Sequence, residues 1–265
     1  MTRVLSGAVL IAVAIGFVWF APDVVFQLFG VLVIAMAVRE FVTMARAGDL
    51  EVSFWPVLVA TLLTFAMVAS AFAPPGNAPI EVALMGALLG IGLLSMGSWS
   101  GGPHALASVS ASLFPALYLG LPIGALAAVR AFAGPRVLML LLATVMVSDT
   151  AQYYCGRAFG RRALAPTISP KKTIEGAIGG FVIGTAFFMA LGAWWLPSMP
   201  IGLRAGLGLA LVAMGIAGDL FESMLKRSAG VKDSSALIPG HGGVLDRIDA
   251  LLFAAPIYYI VLKYV

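Results

Sequence analysis

IGLRAGLGLALVAMGIAGDL, residues 201–220, decides the fold. Only Arg204, near its start, and Asp219, one residue from its end, carry charge. A helix needs roughly 20 apolar residues to cross the hydrocarbon core of a bilayer. It also satisfies its own backbone hydrogen bonds, as lipid demands. The stretch therefore reads as a membrane span. The rest of the 265-residue chain is of the same kind: 61% of residues are hydrophobic, 11% are charged and the mean hydropathy is +1.03. Soluble domains carry about 25% charged residues, so a water-soluble globule is excluded.

Working outward, apolar spans lie near 4–21, 24–44, 54–73, 80–99, 105–129, 137–155, 174–196, 201–220 and 248–264. The expectation is an all-α, polytopic integral membrane protein of about nine transmembrane helices. The breaks fall at Pro22-Asp23, at Pro74 to Asn77, at Gly101-Gly102-Pro103, at Gly134-Pro135 and at Pro197, the residues that punctuate helices. Pro115 and Pro122 are expected to break the span at 105–129. The first span follows Arg3 and precedes no small-x-small cleavage site, so it reads as a retained helix rather than a signal peptide.

Lysine and arginine set the orientation. With the N-terminus in the cytoplasm, twelve of the 16 fall on that side: Arg3, Arg39, Arg46, Arg157, Arg161, Arg162, Lys171, Lys172, Lys226, Arg227, Lys232 and Arg247. Arg130, Arg136, Arg204 and Lys263 fall on the other. Both long polar connections, 156–173 and 221–247, then face the cytoplasm. The sequence pI of about 9.4 reflects this face lying against anionic lipid, not a nucleic-acid partner. Cys155 is the only cysteine; it excludes an internal disulfide and reads as a small residue at a helix end.

The acidic residues divide the chain. Asp23, Glu40, Asp49, Glu51 and Glu81 occupy span ends or loops of an N-terminal half, 1–130, and suggest nothing beyond membrane architecture. The other seven fall in the region 131–265, which is expected to carry the chemistry. Asp149, Asp219 and Asp246 lie in or at the cytoplasmic ends of apolar helices. An ionisable group inside the membrane costs about 2.5–3.5 kcal/mol on insertion scales and commonly marks a functional site, although a carboxylate snorkelling from a helix end is the plainer account.

Spacing favours function. Asp219, Glu222, Ser223 and Lys226 share one helical face, Asp246 and Asp249 are three apart, and Asp149 and Tyr153 are four apart. Aspartates clustered without Cys or a His pair suit a hard cation such as Mg2+, which takes one or two carboxylates and fills its sphere with water and phosphate. Ser169-Pro170-Lys171-Lys172-Thr173 opens the seventh span, and helix N-termini favour phosphate. Lys226, Arg227, Lys232 and Arg247 add cations, and His241-Gly242-Gly243 is a turn whose bare backbone can approach a ligand. Together these describe a site for a metal-bound polyphosphate; the alternative is a positive-inside loop with incidental acidic neighbours. No G-x-x-x-x-G-K-[ST] loop is present, and no G-x-S-x-G accompanies His241. Gly176, Gly180 and Gly184 form a small-residue stripe suited to tight helix packing, and His104 is a lone loop histidine.

SMLKRSAGVKD (223–233), IPGHGGVLDRID (238–249), GDLFES (218–223), SDTAQYYCGRAFGR (148–161) and PTISPKKTIEG (166–176) together resemble the phosphatidate cytidylyltransferase (CDP-diacylglycerol synthase) family. The resemblance covers about 149–249 and departs at Ala151-Gln152, where Gly/Ala-Ala is expected. It implies transfer of the cytidylyl group from CTP to phosphatidic acid at the cytoplasmic face of the inner membrane, giving CDP-diacylglycerol and pyrophosphate. It implies Mg2+ on Asp219 and Asp246 with Asp149 and Asp249 beside them, and admits a second cation such as K+. Lys226, Arg227, Lys232 and Arg247 would hold the triphosphate and the lipid phosphate, with Ser223, His241, Gly242 and Gly243 in the substrate site. Ser169, Lys171, Lys172 and Thr173 would form a phosphate-contacting lip. A homodimer is also implied. The rival readings are another CTP-dependent lipid enzyme, such as a polyprenol kinase or a different lipid cytidylyltransferase, and a membrane transporter. A transporter should show matched broken helices in both halves, whereas the unusual residues here lie in one.

Overall fold

Residues 15–20 are helical and run into Ala21 and Pro22, in a computed structural model that describes residues 15–69, 80–101, 103–235 and 242–265. Pro22 precedes the first long helix, α1 (Asp23–Ala47), whose first-turn Asp23 faces the positive end of the helix dipole. Then come α2 (Phe54–Ala69), α3 (Ile80–Ser98), α4 (Ala105–Pro115), a π-helical turn (Ala116–Gly120) and α5 (Leu121–Ala133). Gly134, at φ 86°, turns the chain into α6 (Pro135–Phe159), where Pro135 stands in the first turn and sacrifices no helix bond. A hairpin of β1 (Ala163–Ala165) and β2 (Ser169–Thr173) leads to α7 (Ile174–Trp195), α8 (Ile201–Ser228) and α9 (Leu245–Tyr264).

Six helical stretches among the described residues are long and apolar enough to cross a membrane: α1, α3, the continuous Ala105–Ala133, α6, α7 and α8. The expected nine is therefore not reproduced. The first span falls mostly outside the described residues, α2 has only 16 residues, and α9 carries Asp246, Arg247 and Asp249 at one end and Lys263 at the other. Pro115 and Pro122 do not break the span at 105–129. Pro115 ends α4, where the chain passes into the π turn, and Pro122 lies in the first turn of α5, where a missing N–H costs no helix bond.

The helices pack as interlocking pairs, α6 on α7, α8 on α9 and α2 on α5, with α9 also against α5. Both main hydrophobic clusters draw on both halves of the sequence. One joins Ile34, Val38, Phe41 and Leu119 to Leu245 and Leu252; the other joins Val68 and Val129 to Leu140, Leu211 and Tyr258. The Gly176, Gly180 and Gly184 stripe does what its spacing suggests. A Cβ there would meet the Gln152 carbonyl, the Gln152 side chain, or Val212 and Ser148 at 2.5–2.9 Å, so only glycine lets α7 lie this close to α6. Gly179 likewise accommodates Cys155, which is a packing residue.

The four cations assigned to the outer side gather at one end. Arg130 is buried, paired with Asp23, bonded to the Val18 and Ala21 carbonyls and 4.8 Å from the Phe26 ring. Arg204 donates to the Leu196 and Met199 carbonyls at 3.0 and 2.8 Å. The Tyr258 hydroxyl donates to the Val137 carbonyl at 2.8 Å, tying the Lys263 end of α9 to the Arg136 end of α6. The chemistry-bearing residues lie at the other ends of these helices.

Candidate active site

Gly218 is where α8 and α9 approach most closely, since a Cβ there would sit 2.5 Å from the Asp249 carbonyl. That contact brings Asp219 of α8 against Asp249 of α9. Asp149 reaches the same place from α6, and the three carboxylates are near enough to act on one another's charge and on Lys172. Lys172 pairs directly with Asp219. Gln152 donates to Asp149 at 2.9 Å, so the residue that departs from the expected Gly/Ala-Ala pattern orients a site carboxylate.

Lys172 arrives on the hairpin, which helical periodicity did not foresee. Ala163 pairs with Thr173 and Ala165 with Ser169, with an irregularity between the two pairs; along β2 Pro170 and Lys171 are exposed, whereas Lys172 and Thr173 are half-buried. The expected lip is thus divided. Lys172 enters the carboxylate group, Lys171 faces solvent, and Thr173 caps α7 by accepting from Gly176 N–H at 3.1 Å. Glu175 accepts from the Arg161 and Arg162 N–H groups at 3.0 and 3.2 Å, closing the turn that enters the hairpin.

A second polar group adjoins the first. Lys226 bridges Glu222, whose side chain is fully buried, and Asp246, at 2.5 Å to the Asp246 Oδ1. Asp246 Oδ2 also accepts from Gly243 N–H at 2.8 Å and Ser234 N–H at 3.2 Å, and lies 2.9 Å from Ser234 Oγ. Asp246 and Asp249 share a helix turn, yet Asp246 belongs with Lys226 and Asp249 with Asp219. The same holds on α8: Asp219 pairs with Lys172, while Glu222 and Lys226 turn to Asp246. Asp219 and Asp246 thus have different immediate partners, unlike the shared site expected.

Other expected residues fall at the rim or elsewhere. Arg227 is exposed and donates to the Val231 carbonyl at 3.3 Å; Lys232 and Arg247 are exposed, and Ser169 and Ser223 are half-buried. His241 lies outside the described residues. Gly242 and Gly243 approach carboxylates of the protein itself. Gly242, at φ 78°, leaves no room for a Cβ beside Asp246, and a Cβ on Gly243 would collide with Ser234 and Glu40.

Glu40 is the residue that sequence reasoning missed. It is only 4% exposed on α1 and accepts from Val244 N–H at 2.9 Å, Leu245 N–H at 2.8 Å, Ser235 Oγ at 2.6 Å and Ser234 Oγ at 3.0 Å. Its partners lie about two hundred residues further on, and its only sequence signal was a carboxylate inside an apolar run.

The donor set is all oxygen, as a hard divalent cation requires. Among the described residues no three His, Cys, Asp or Glu side chains close on a common point. A cation here would therefore take one or two carboxylates and complete its sphere with water and substrate oxygens. Five carboxylates (Asp149, Asp219, Asp249, Glu222 and Asp246) face two ammonium groups, a negative excess suited to a cation carrying phosphates.

The profile of the Cytidylyltransferase family matches residues 1–265. A Pseudomonas aeruginosa protein named phosphatidate cytidylyltransferase is 35% identical over 266 residues, 97% of this chain and 94% of that relative. A Helicobacter pylori protein of the same name is 32% identical over 271 residues, 99% of this chain and 92% of the relative. An Aquifex aeolicus protein of that name matches at 39% over 127 residues, about half of each: 47% of this chain and 46% of the relative. The similarity runs through the N-terminal half as well as through the motifs around Asp149, Asp219 and Asp246, and the chain belongs to the Cytidylyltransferase family.

Proposed function

We propose that the protein transfers the cytidylyl group of CTP to phosphatidate at the cytoplasmic face of the inner membrane. One observation carries the reading: carboxylates and lysines from four segments converge at one end of a helical bundle whose full length is similar to bacterial proteins named phosphatidate cytidylyltransferase. A phosphate oxygen of phosphatidate attacks the α-phosphorus of CTP, the bond to the bridging oxygen breaks, and pyrophosphate leaves with its electron pair. CDP-diacylglycerol is the other product. The attacking phosphate is already ionised, so no side chain need serve as nucleophile or base.

What remains for the protein is positioning and charge neutralisation between two anions. Lys172 and Lys226 lie where phosphate oxygens would arrive, and Arg227, Lys232 and Arg247 ring the exposed rim. Asp219, flanked by Asp149 and Asp249, would hold Mg2+, with Asp246 beside them. Bound there, Mg2+ would offset the charge of the triphosphate. The excess of cations at this end supports its cytoplasmic orientation, where CTP arrives from water and phosphatidate from the inner leaflet.

Purified protein incubated with α-labelled CTP, phosphatidate and Mg2+ tests the reading. Label should enter lipid only when all three are present, chelation should abolish it, and Asp219→Asn should lower turnover by about 100-fold or more. Label that stays aqueous with folded wild-type protein rules the reaction out.

A further inference from the structure

Glu40 has no explanation in membrane architecture. A carboxylate buried at 4% exposure within an apolar helix is costly, and a hydrophobic side chain would pack there more readily. Among the described residues its four hydrogen-bond donors stand at two places between α8 and the first turn of α9, the two ends of the stretch 234–245: Ser234 and Ser235 at one, Val244 and Leu245 at the other. The same two ends supply the backbone donors of Asp246, namely the N–H groups of Ser234 and Gly243. Ser234 Oγ stands between the carboxylates, 3.0 Å from Glu40 Oε2 and 2.9 Å from Asp246 Oδ2. Its single proton can serve only one of them.

We propose that Glu40 is a positioning residue of the site: it fastens the α8–α9 connection at Ser234-Ser235 and at Val244-Leu245 and thereby fixes Asp246. Accepting from two N–H groups and the Ser235 hydroxyl, with Ser234 Oγ shared with Asp246, is a task for a carboxylate. Glutamine would keep one carbonyl oxygen and put an NH2 against donors, leaving one buried N–H, that of Val244 or of Leu245, without its acceptor. Gly243 fits this role, since its missing side chain lets Glu40 and Ser234 meet. The anchor gives the N-terminal half a direct part in the site. Its effect on turnover rests on the cytidylyl-transfer reading; its effect on the connection does not.

The test uses the full chain in lipid nanodiscs, comparing wild type, Glu40→Gln and Ser235→Ala by hydrogen–deuterium exchange, thermal midpoint and CTP turnover. Val244 and Leu245 amides should lose protection trivially in Glu40→Gln. The informative amides are Ser234 and Gly243, which bond Asp246, and these should exchange about tenfold faster while the remaining helices are unchanged. Turnover should fall about 10–100-fold, the range for residues that orient a site ligand, mainly in kcat rather than in the KM for CTP. Ser235→Ala should shift the same amides to a lesser degree. Wild-type protection at Ser234 and Gly243 in both variants overturns the proposal. So does faster exchange throughout with a collapsed thermal midpoint in Glu40→Gln, if Ser235→Ala leaves the connection unchanged. Faster exchange at these amides in a chain whose wild type transfers no label leaves the anchor standing and removes the reaction.

Discussion

Lys226 shows what a single residue does for this site. Its ammonium group is the partner of Glu222, whose side chain is fully buried, and it also holds Asp246. Removing one member of a buried pair leaves the other charge uncompensated, at a cost of about 3–5 kcal/mol. Lys226→Met should therefore lower the thermal midpoint of the detergent-solubilised protein sharply, and adding Glu222→Gln should restore much of the loss. Additive losses in the double variant would show that Lys226 does not neutralise Glu222. The sequence placed Lys226 among phosphate-binding cations because its spacing from Asp219 is helical, but spacing does not say which neighbour a side chain turns toward. Asp149, Asp219 and Asp246 were legible because charge inside an apolar run is conspicuous. Glu40 is the same kind of residue, yet it was passed over because its donors lie on the last helix and on the connection before it, which no local pattern reveals.

At the scale of elements, the α6–α7 contact sets the site, because α6 carries Asp149 and the strand leading into α7 carries Lys172. Gly184→Leu would drive a side chain into Val212 and Ser148. Overpacking of this kind costs about 1–3 kcal/mol, so the thermal midpoint should fall and turnover should fall with it as Asp149 moves from Lys172. Turnover and midpoint both at wild-type values would show that the helices can part without consequence. The glycine stripe could be read directly from sequence, since a small residue every four positions has one simple use. The hairpin could not. Three residues and five give too little pattern to register, and Lys171 and Lys172, alike in sequence, end up one exposed and the other half-buried against Asp219. Pro122 leaves the helix intact because a proline's missing N–H is harmless in a first turn, whereas Pro115 stands where α4 gives way to the π turn.

For the molecule as a whole, one measurement tests the orientation. In a Cys155→Ser background, Lys171→Cys should react with a membrane-impermeant maleimide in inverted inner-membrane vesicles and stay unmodified in intact cells with a permeabilised outer membrane. The reverse pattern would turn the site away from the cytoplasm. All-α, multi-pass architecture was legible from composition, whereas the division into a quiet first half and a chemical second half described the distribution of charge and not the packing. Leu119 and Ile34 share a core with Leu245, and Val68 shares one with Tyr258. Residues 131–265 are consequently not portable. A chimera that set residues 131–265 on another protein's membrane anchor would keep every recognisable motif while losing the α1 carboxylate that binds the N–H groups of Val244 and Leu245. Any exchange of N-terminal segments within the family must carry that carboxylate with it.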